Sequence, residues 1–182
     1  MINILQLAGY FFPEKAASIY LEDNRFDAFG KAGLYTLIYA PTPCRGISVM
    51  ERKIYKDRKH EKMYYGTLEV CRFSMYPEGK NPLFRAIRYS LCWVIQLWKG
   101  LWAKDVDCIY LASTPPIQGV LGAVLKKWKK VPFVYNLQDI FPDSMVGTGL
   151  ARKGGLIWKI GRVIENFTYR HADKIIVISE DF

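Results

Sequence analysis

Short runs of aliphatic and β-branched residues alternate along the chain with longer stretches in which hydrophobic residues recur every three or four positions. Runs of the first kind are typical of buried strands, and stretches of the second kind are typical of helices. The pattern predicts strands at Ile2 to Leu7, Leu34 to Ala40, Leu68 to Phe73, Asp107 to Ala112, Pro132 to Leu137 and Lys174 to Ile178. It predicts helices at Ala17 to Phe29, Pro82 to Ala103, Pro116 to Lys129 and Leu156 to Arg170.

Strands that alternate with helices form parallel sheets through right-handed crossovers. We therefore predict an α/β fold with a Rossmann-like, doubly wound, mainly parallel sheet, in one domain that covers residues 1–182. In such folds the ligand crevice lies at the carboxyl ends of the strands. Residues 41–62 are basic and contain glycine and proline, and we predict that they form a long loop.

The composition indicates a globular protein, because 51% of the residues are hydrophobic, 24% are charged and no low-complexity tract is present. The formal charge of +9 predicts attraction to phosphates in nucleic acid, nucleotides or a lipid surface, and it does not choose among them. The four cysteines are widely spaced, and the apolar amino terminus is too short for a secretory signal. We therefore expect a cytoplasmic location.

Several sharper signatures are missing from the sequence. Gly147-Thr148-Gly149 lacks the third glycine of a dinucleotide fingerprint, and the chain has neither a P-loop nor a G-x-S-x-G nucleophile elbow. Two histidines and no closely paired cysteines argue against a zinc site. We expect no metal and no resident cofactor.

Candidate site residues follow the predicted strands, where helix amino termini and free backbone donors converge. The loop after the first strand either faces a ligand or plugs the end of the sheet. Its candidates are Phe12, Pro13, Glu14, Lys15, Ala16, Ala17 and Ser18. After the strand that ends at Ala112, Ser113 and Thr114 offer hydroxyl groups for a ligand or for capping the next helix.

The segment after the strand that ends at Leu137 is the most polar of these loops. It carries Gln138, Asp139, Asp143 and Ser144. Buried polar groups need partners, so the segment either satisfies itself or faces a ligand, and its position at a strand end favours the ligand. Ser179 and Glu180 follow the last strand and are either site residues or ordinary surface.

Two segments combine tryptophan with basic residues. The helix that begins at Pro82 carries Trp93, Trp98 and Trp102, and its uncharged run is far shorter than the roughly 20 residues that a bilayer span needs. Either this helix is buried against the sheet or it enters a membrane interface. The second segment is Lys126, Lys127, Trp128, Lys129 and Lys130, which is either a solvated helix end or a lipid-binding cluster. With the basic segment 41–62, these regions favour a peripheral membrane surface.

Three segments, Tyr10 to Ser18, Gln138 to Ser144 and Ala172 to Glu180, together resemble the amino-terminal domain of bacterial family 4 glycosyltransferases. The similarity is greatest to members that build capsule, O-antigen or exopolysaccharide, including amino-sugar transferases. The resemblance implies half of a GT-B enzyme, which transfers a sugar from a nucleotide sugar with retention of configuration and without a metal ion. The second half, which would hold most of the donor, would be absent from this chain.

The resemblance also implies roles for individual residues. This half would hold the acceptor, often a polyprenyl-diphosphate-linked glycan at the cytoplasmic face of the membrane. The residues from Pro13 to Ser18 would lie at the cleft, Asp139 and Asp143 would line its acceptor side, and Ser179 and Glu180 would mark the turn toward the missing domain. We hypothesise that Asp139 orients the acceptor hydroxyl or helps to accept its proton. The chain alone is expected to be inactive or nearly so.

Two alternatives remain open from the sequence. In the first, the chain is a non-catalytic subunit that pairs with a separate donor-binding chain. In the second, it is a basic module that binds nucleic acid. The second alternative rests on charge alone, because the sequence contains no recognisable RNA-binding or DNA-binding motif. We expect no nucleic acid among the partners.

Overall fold

Strands and helices alternate through the computed structural model, which describes residues 1–14, 19–79, 81–115, 117–147, 149 and 151–179. The strands are β1 (Ile2–Leu7), β2 (Leu34–Pro41), β3 (His60–Met63), β4 (Leu68–Phe73), β5 (Cys108–Ala112), β6 (Phe133–Leu137) and β7 (Lys174–Val177). The helices are α1 (Ile19–Lys31), α2 (Val49–Asp57), α3 (Pro82–Trp102), α4 (Gln118–Lys129), α5 (Asp143–Gly147) and α6 (Leu156–His171).

The chain divides into two compact units, Met1–Asp107 and Cys108–Phe182. In the first unit β1 pairs with β2 and β2 pairs with β4, both in parallel, while β3 runs antiparallel to β4. An apolar core cluster of this unit is made of Phe11, Phe26, Ile38, Ala40, Leu68 and Val70. The Phe11 and Phe26 rings meet edge to face at 5.9 Å, which joins the loop after β1 to α1.

In the second unit β6 pairs in parallel with both β5 and β7. The helices α4 and α6 pack close to each other and to β6 because glycines leave room for them. A Cβ built on Gly119 would lie 2.2 Å from the Thr168 side chain, and one built on Gly122 would lie 2.3 Å from the Phe133 ring. The largest fully buried side chains of this unit are Ile109, Leu111, Leu121, Leu125, Phe133 and Tyr135.

The mainly parallel α/β fold predicted from the sequence is confirmed, since all pairings except that of β3 with β4 are parallel in the described chain. The prediction of a long loop over residues 41–62 is wrong, because α2 and the first part of β3 lie there. Ser48 accepts a hydrogen bond from the Glu51 backbone while the Glu51 side chain accepts one from the Ser48 backbone, which caps α2. The strand β3 is short and polar, so no hydrophobic alternation marks it.

Helix α3 buries two of its polar side chains. Arg88 and Gln96 are fully buried. The Gln96 amide donates to the carbonyl oxygen of Ala8 at 2.8 Å, and the Arg88 guanidinium donates to that of Tyr76 at 3.1 Å. These hydrogen bonds stabilise polar groups that would otherwise be costly to bury.

The outer face of α3 is apolar. Its exposed large hydrophobic side chains are Leu83, Phe84, Ile87, Leu91, Val94, Trp98 and Trp102. Their spacing of three or four residues makes them one stripe along the helix. The apolar face of α3 is therefore exposed. Of the two predictions made for this helix, burial against the sheet does not describe that face. Among the helices that the structure describes, none is long and apolar enough to cross a membrane.

Candidate functional site

The carboxyl ends of the three parallel strands of the second unit lie at one edge of that unit. Ser113 follows β5, the segment from Gln138 to Pro142 follows β6, and Ser179 lies shortly after β7. Because helices and backbone donors converge at this edge in open α/β folds, it is where a ligand is expected. These residues define the candidate site of the second unit.

Ser113 holds the loop after β6 in place through two hydrogen bonds, which we call the Ser113 clamp. It is buried, and its hydroxyl oxygen accepts hydrogen bonds from the backbone N–H groups of Gln138 at 3.0 Å and Asp139 at 3.2 Å. Its own N–H group donates to the carbonyl oxygen of Asn136 at 2.9 Å. Two roles were predicted for Ser113, ligand binding and helix capping. Ser113 does not cap α4, because the residue before α4 is Ile117 and makes no side-chain cap.

The far side of the same loop is held by α6. A Cβ built on Gly161 would lie 2.7 Å from the Phe141 ring and 2.8 Å from Pro142, so only glycine lets the loop approach this closely. Next along the chain, Asp143 accepts a hydrogen bond from the Trp158 indole at 2.8 Å and forms an ion pair with Arg162. The loop is therefore fixed on both sides of Asp139.

The surroundings of Asp143 lower the pKa of its carboxyl group. The hydrogen bond from Trp158 is the largest cause, followed by the hydrogen bond from Arg162. Both side chains belong to α6, so the carboxylate joins α5 to α6. Asp143 thus lies in the segment predicted to face a ligand, and each of its carboxylate oxygens contacts a side chain of α6.

Asp139 differs from Asp143 because it is exposed. Within the described part of the chain its carboxylate has neither a hydrogen bond nor an ion pair, while its backbone N–H is held by Ser113. A charged acceptor on an immobilised backbone is oriented before any ligand arrives, which favours recognition of a hydroxyl group or a proton in transfer.

A buried polar cluster lies beneath this loop, and sequence reasoning missed it. Glu165 on α6 is 1% exposed, and one of its oxygens accepts a hydrogen bond from the Tyr169 hydroxyl. Its other oxygen and the hydroxyl group of the fully buried Tyr135 have no hydrogen-bond partner among the described residues. Burial raises the pKa of the Glu165 carboxyl group, and the charge of Asp139 adds to that effect.

The signal that would have revealed this cluster is a carboxylate and a tyrosine four residues apart on the face of α6 that packs inward. Glu165 and Tyr169 have this spacing. The sequence presents them inside an amphipathic helix, where acidic residues usually mark the solvated side. Which face of α6 points inward depends on the fold.

The remaining predicted residues of this unit lie along the same loops. Thr114 and Ser179 are exposed, while Gln138 and Ser144 are half-buried. Glu180 lies outside the described residues. Their roles as cleft residues stay predictions.

In the first unit the loop after β1 is organised by Glu14, which is fully buried. One carboxylate oxygen accepts from the backbone N–H of Phe11 at 3.1 Å. The other accepts from the backbone N–H groups of Cys44 at 2.8 Å and Arg45 at 2.9 Å. Glu14 therefore joins the loop after β1 to the segment after β2. All three of these hydrogen bonds come from backbone N–H groups.

The other predicted residues of this loop differ in exposure. Phe12 is 39% exposed and Pro13 is half-buried, while Phe11 beside them belongs to the core. The Phe12 carbonyl oxygen accepts from the Arg72 guanidinium at 2.8 Å, so the backbone under the exposed ring is fixed. The remaining candidates, Lys15, Ala16, Ala17 and Ser18, lie outside the described residues.

A second network in the first unit joins the loop after β1 to the beginning of α3. The hydroxyl groups of Tyr10 and Tyr89 each lie 3.0 Å from a different oxygen of Glu78, and Arg85 lies 2.7 Å from this carboxylate. Burial is the largest cause of a raised Tyr10 pKa. For Glu78, burial opposes the hydrogen bonds and the arginines, which prevail and lower its pKa.

A cluster of potential metal ligands lies on β3 and β4. His60, Glu69 and Cys71 each place one ligand atom within 4.8 Å of the others. The Glu69 carboxylate accepts a hydrogen bond from Tyr35, and burial raises the pKa of the Cys71 thiol to about 11. A thiol with this pKa is protonated at neutral pH, whereas metal binding requires the thiolate. The expected absence of a metal stays a prediction.

The residues predicted to face a membrane have mixed surroundings. Trp98, Trp102 and Trp128 are 64%, 69% and 69% exposed, whereas Trp93 is half-buried. Lys126 is paired with Asp173 at 2.8 Å.

The lysines that follow are placed at the end of α4. Lys127 and Lys130 are exposed, and Lys130 closes the helix in the left-handed conformation. Lys129 is half-buried, and burial lowers its pKa. This lysine segment precedes β6, so it lies at the amino end of that strand, opposite to Asp139 within the second unit.

Comparison with known proteins gives the family context. The family described as Glycosyl transferase 4-like domain matches residues 47–182. A probable glycosyltransferase WbjE of Pseudomonas aeruginosa is 22% identical over 103 residues, which cover 57% of this chain and 24% of that protein. The crystal structure of Anabaena Alr3699/HepE in complex with UDP and glucose gives a TM-score of 0.46 with 16% identity, over 96% of this chain and 37% of that one. The chain therefore spans about a quarter of the curated relative's length.

Proposed function

Because the chain belongs to the family of glycosyl transferase 4-like domains, we propose that it is the acceptor-side part of an enzyme that transfers a sugar from a nucleotide sugar. The acceptor is a lipid-linked or other glycan in the synthesis of a cell-surface polysaccharide, and the sugar is a hexose or an amino sugar. The donor is bound mainly by a second domain, which belongs to the same protein or to a separate chain. Residues 1–182 alone are inactive or nearly so.

The observation that carries this proposal is the placement of Asp139. Its carboxylate is exposed at the carboxyl end of β6, on a loop that Ser113 holds on one side and Gly161 and Asp143 hold on the other. Positioned carboxylates of this kind act in proton transfer, and a general base typically contributes about 10²-fold to 10⁴-fold to a rate. Asp139 is thus the residue proposed to act on the acceptor hydroxyl.

The proposed chemistry is a group transfer with retention of configuration at the sugar carbon. The acceptor oxygen forms the new bond to that carbon while the bond to the donor phosphate breaks and its electron pair leaves with the phosphate. The proton of the acceptor hydroxyl passes to Asp139 or to the departing phosphate. No metal ion takes part in this proposal.

The proposed location is the cytoplasmic face of the membrane, where the protein binds peripherally. The exposed Trp98 and Trp102 and the apolar outer face of α3 support this proposal, because tryptophan and basic residues favour the membrane interface. A lipid-linked acceptor would be held at the same surface.

A second candidate is a non-catalytic subunit of a split glycosyltransferase, and the apolar side chains exposed on α6 and β7 are typical of a contact with another chain. In that case a separate chain would supply the donor site. Activity that appears only when the second chain is added identifies this arrangement.

The function is tested by incubating the full-length protein with a set of nucleotide sugars and a lipid extract from the source cells. The proposal predicts a glycolipid product and release of nucleoside diphosphate, both in the presence of a metal chelator. Proton NMR of the product should show the same anomeric configuration as the donor. Binding of RNA without any sugar transfer under these conditions would favour the nucleic-acid alternative instead.

A further inference from the structure

A groove of about 740 Å³ opens in the first unit between α2 and α3. Thr42 and Ser74 line its base, and they directly follow β2 and β4. The groove therefore lies at the carboxyl ends of two parallel strands, the edge at which open α/β folds bind ligands. Nothing in the sequence pattern indicates it, because α2 was not predicted.

One wall of the groove is cationic. It is formed by Arg52, Lys53 and Lys56 of α2. The Arg52 guanidinium is held in place by donating to the carbonyl oxygens of Pro43 at 3.1 Å and Met75 at 2.9 Å. Carbonyl groups orient the guanidinium without neutralising it, and in the described part of the chain no carboxylate pairs with these three cations.

The opposite wall is apolar. It is formed by Leu91 and Ile95 of α3. Leu91 is 46% exposed and belongs to the apolar stripe that continues along α3 to Trp98 and Trp102. On the α2 side, Val49 also lines the groove and is 87% exposed. Exposed apolar surface of this kind usually marks an interaction site, because its removal from water is favourable.

A groove with one cationic wall and one apolar wall favours an amphiphilic ligand. Three cations beside an apolar wall match a phosphate that is attached to a hydrocarbon chain, whereas a nucleotide or a polynucleotide would leave the apolar wall uncovered. We propose that this groove binds one anionic phospholipid of a bilayer. The phosphate lies against Arg52, Lys53 and Lys56, the acyl chain lies along Leu91 and Ile95, and the α3 stripe enters the interface beside it.

This inference rests on the proposed membrane association and adds its ligand and its place in the fold. It locates the lipid at the strand edge of the first unit, beside the segment after β2 that Glu14 joins to the loop after β1. The cationic wall comes from α2 and not from the lysines near Trp128.

The test measures binding of the full-length protein to vesicles of phosphatidylcholine, with and without phosphatidylglycerol, by flotation. A lysine near an anionic membrane contributes about 1 kcal/mol, which is a factor of about 5, so K53Q/K56Q should weaken binding to the anionic vesicles by about 25-fold. The control K104Q/K159Q removes the same charge from exposed lysines outside the groove and outside the basic segments, and it should weaken binding by less than about 3-fold.

A second variant, Leu91→Gln, tests the apolar wall and should lower binding while far-ultraviolet circular dichroism stays unchanged. Equal weakening by the two lysine pairs would overturn the groove as the site. So would complete release of the protein from vesicles by millimolar inorganic phosphate, because the acyl chain would then contribute nothing. Sugar transfer to a detergent-solubilised lipid extract is assayed without vesicles, so a failure of lipid binding is distinguished from a failure of the proposed sugar transfer.

Discussion

Acidic side chains of the same charge have different functions in the loops that follow the strands. Glu14 uses both oxygens on backbone N–H groups, and Asp143 is held by Trp158 and Arg162. Asp139 is exposed and makes no such contact in the described chain. Glu14 and Asp143, whose oxygens accept hydrogen bonds from the protein, keep the loops in place. Asp139 is the acidic residue that is available to a ligand.

The clamp at Ser113 predicts a local effect of its removal. Ser113→Ala leaves the backbone N–H groups of Gln138 and Asp139 without their acceptor, and each lost hydrogen bond costs about 0.5–1.5 kcal/mol. Amide hydrogen exchange at Gln138 and Asp139 should therefore become about tenfold faster or more. Thr114→Ala, at an exposed neighbour, is the matched control and should leave these rates unchanged. Unchanged exchange in Ser113→Ala would refute the clamp.

Asp143 predicts a pH dependence. Its folded pKa is lowered by Trp158 and Arg162, so the carboxylate stabilises the fold fully above its unfolded pKa of about 3.9, and this contribution disappears as the pH falls through the folded value. The difference in unfolding free energy between wild type and Asp143→Asn should be constant from about pH 7 to pH 5 and should shrink below about pH 4. Urea unfolding at several pH values measures it, with Asp57→Asn as a control for loss of one charge. A difference that grows on acidification contradicts the assignment.

At the scale of elements, glycines set how closely α4 and α6 approach β6 and the loop that follows it. Gly119 and Gly122 bring α4 against Thr168 and the Phe133 ring, and Gly161 brings α6 against Phe141 and Pro142. Close packing of this kind leaves no space for an added methyl group. The position of Asp139 is thus a consequence of how α6 packs, as well as of its own loop.

Gly161→Ala tests this dependence. The added methyl group would need to displace Phe141 and Pro142, and overpacking of this kind costs about 1–3 kcal/mol. Gly147→Ala is the matched control, because a Cβ built there has nothing within 4 Å. Differential scanning calorimetry should show a lower Tm for Gly161→Ala only. Equal Tm values would mean that the loop yields to α6 at no cost.

Elements with a strong hydrophobic period were predictable from the sequence, and elements without one were not. Strands such as β1 and β6 are short segments rich in aliphatic or aromatic residues, so their positions follow from the chain alone. Helix α2 carries its capping box at Ser48 and Glu51, but its apolar positions alternate with cations and resemble a loop. Strand β3 is specified by backbone pairing with β4, which no local pattern records.

At the scale of the whole molecule, exposed apolar surface is concentrated on a few elements. In the second unit α6 and β7 expose Leu156, Ile157, Ile160, Val163, Phe167, Ile175, Ile176 and Val177. In the first unit α3 exposes its apolar stripe, and α2 exposes Val49, Met50 and Ile54. Surfaces of this kind are typical of contacts with another domain, another protein or a lipid.

The candidate site was predictable in position and only partly in its chemistry. The polar segment after β6 could be recognised because parallel strands end at one edge. The sequence could not show that Asp143 pairs with Arg162 while Asp139 does not, since α6 lies well beyond them in the chain. Nor could it place Glu165 and Tyr135 together, because their proximity depends on the packing of α6 against β6.

The central claim, that Asp139 acts on the acceptor, is tested most directly by the kcat of the full-length enzyme carrying Asp139→Asn. The amide keeps the shape of the side chain and the Ser113 clamp but cannot accept a proton, so kcat should fall by about 10²-fold or more while Tm stays within about 2 °C of wild type. A kcat within about threefold of wild type, at saturating donor and acceptor, would contradict the claim.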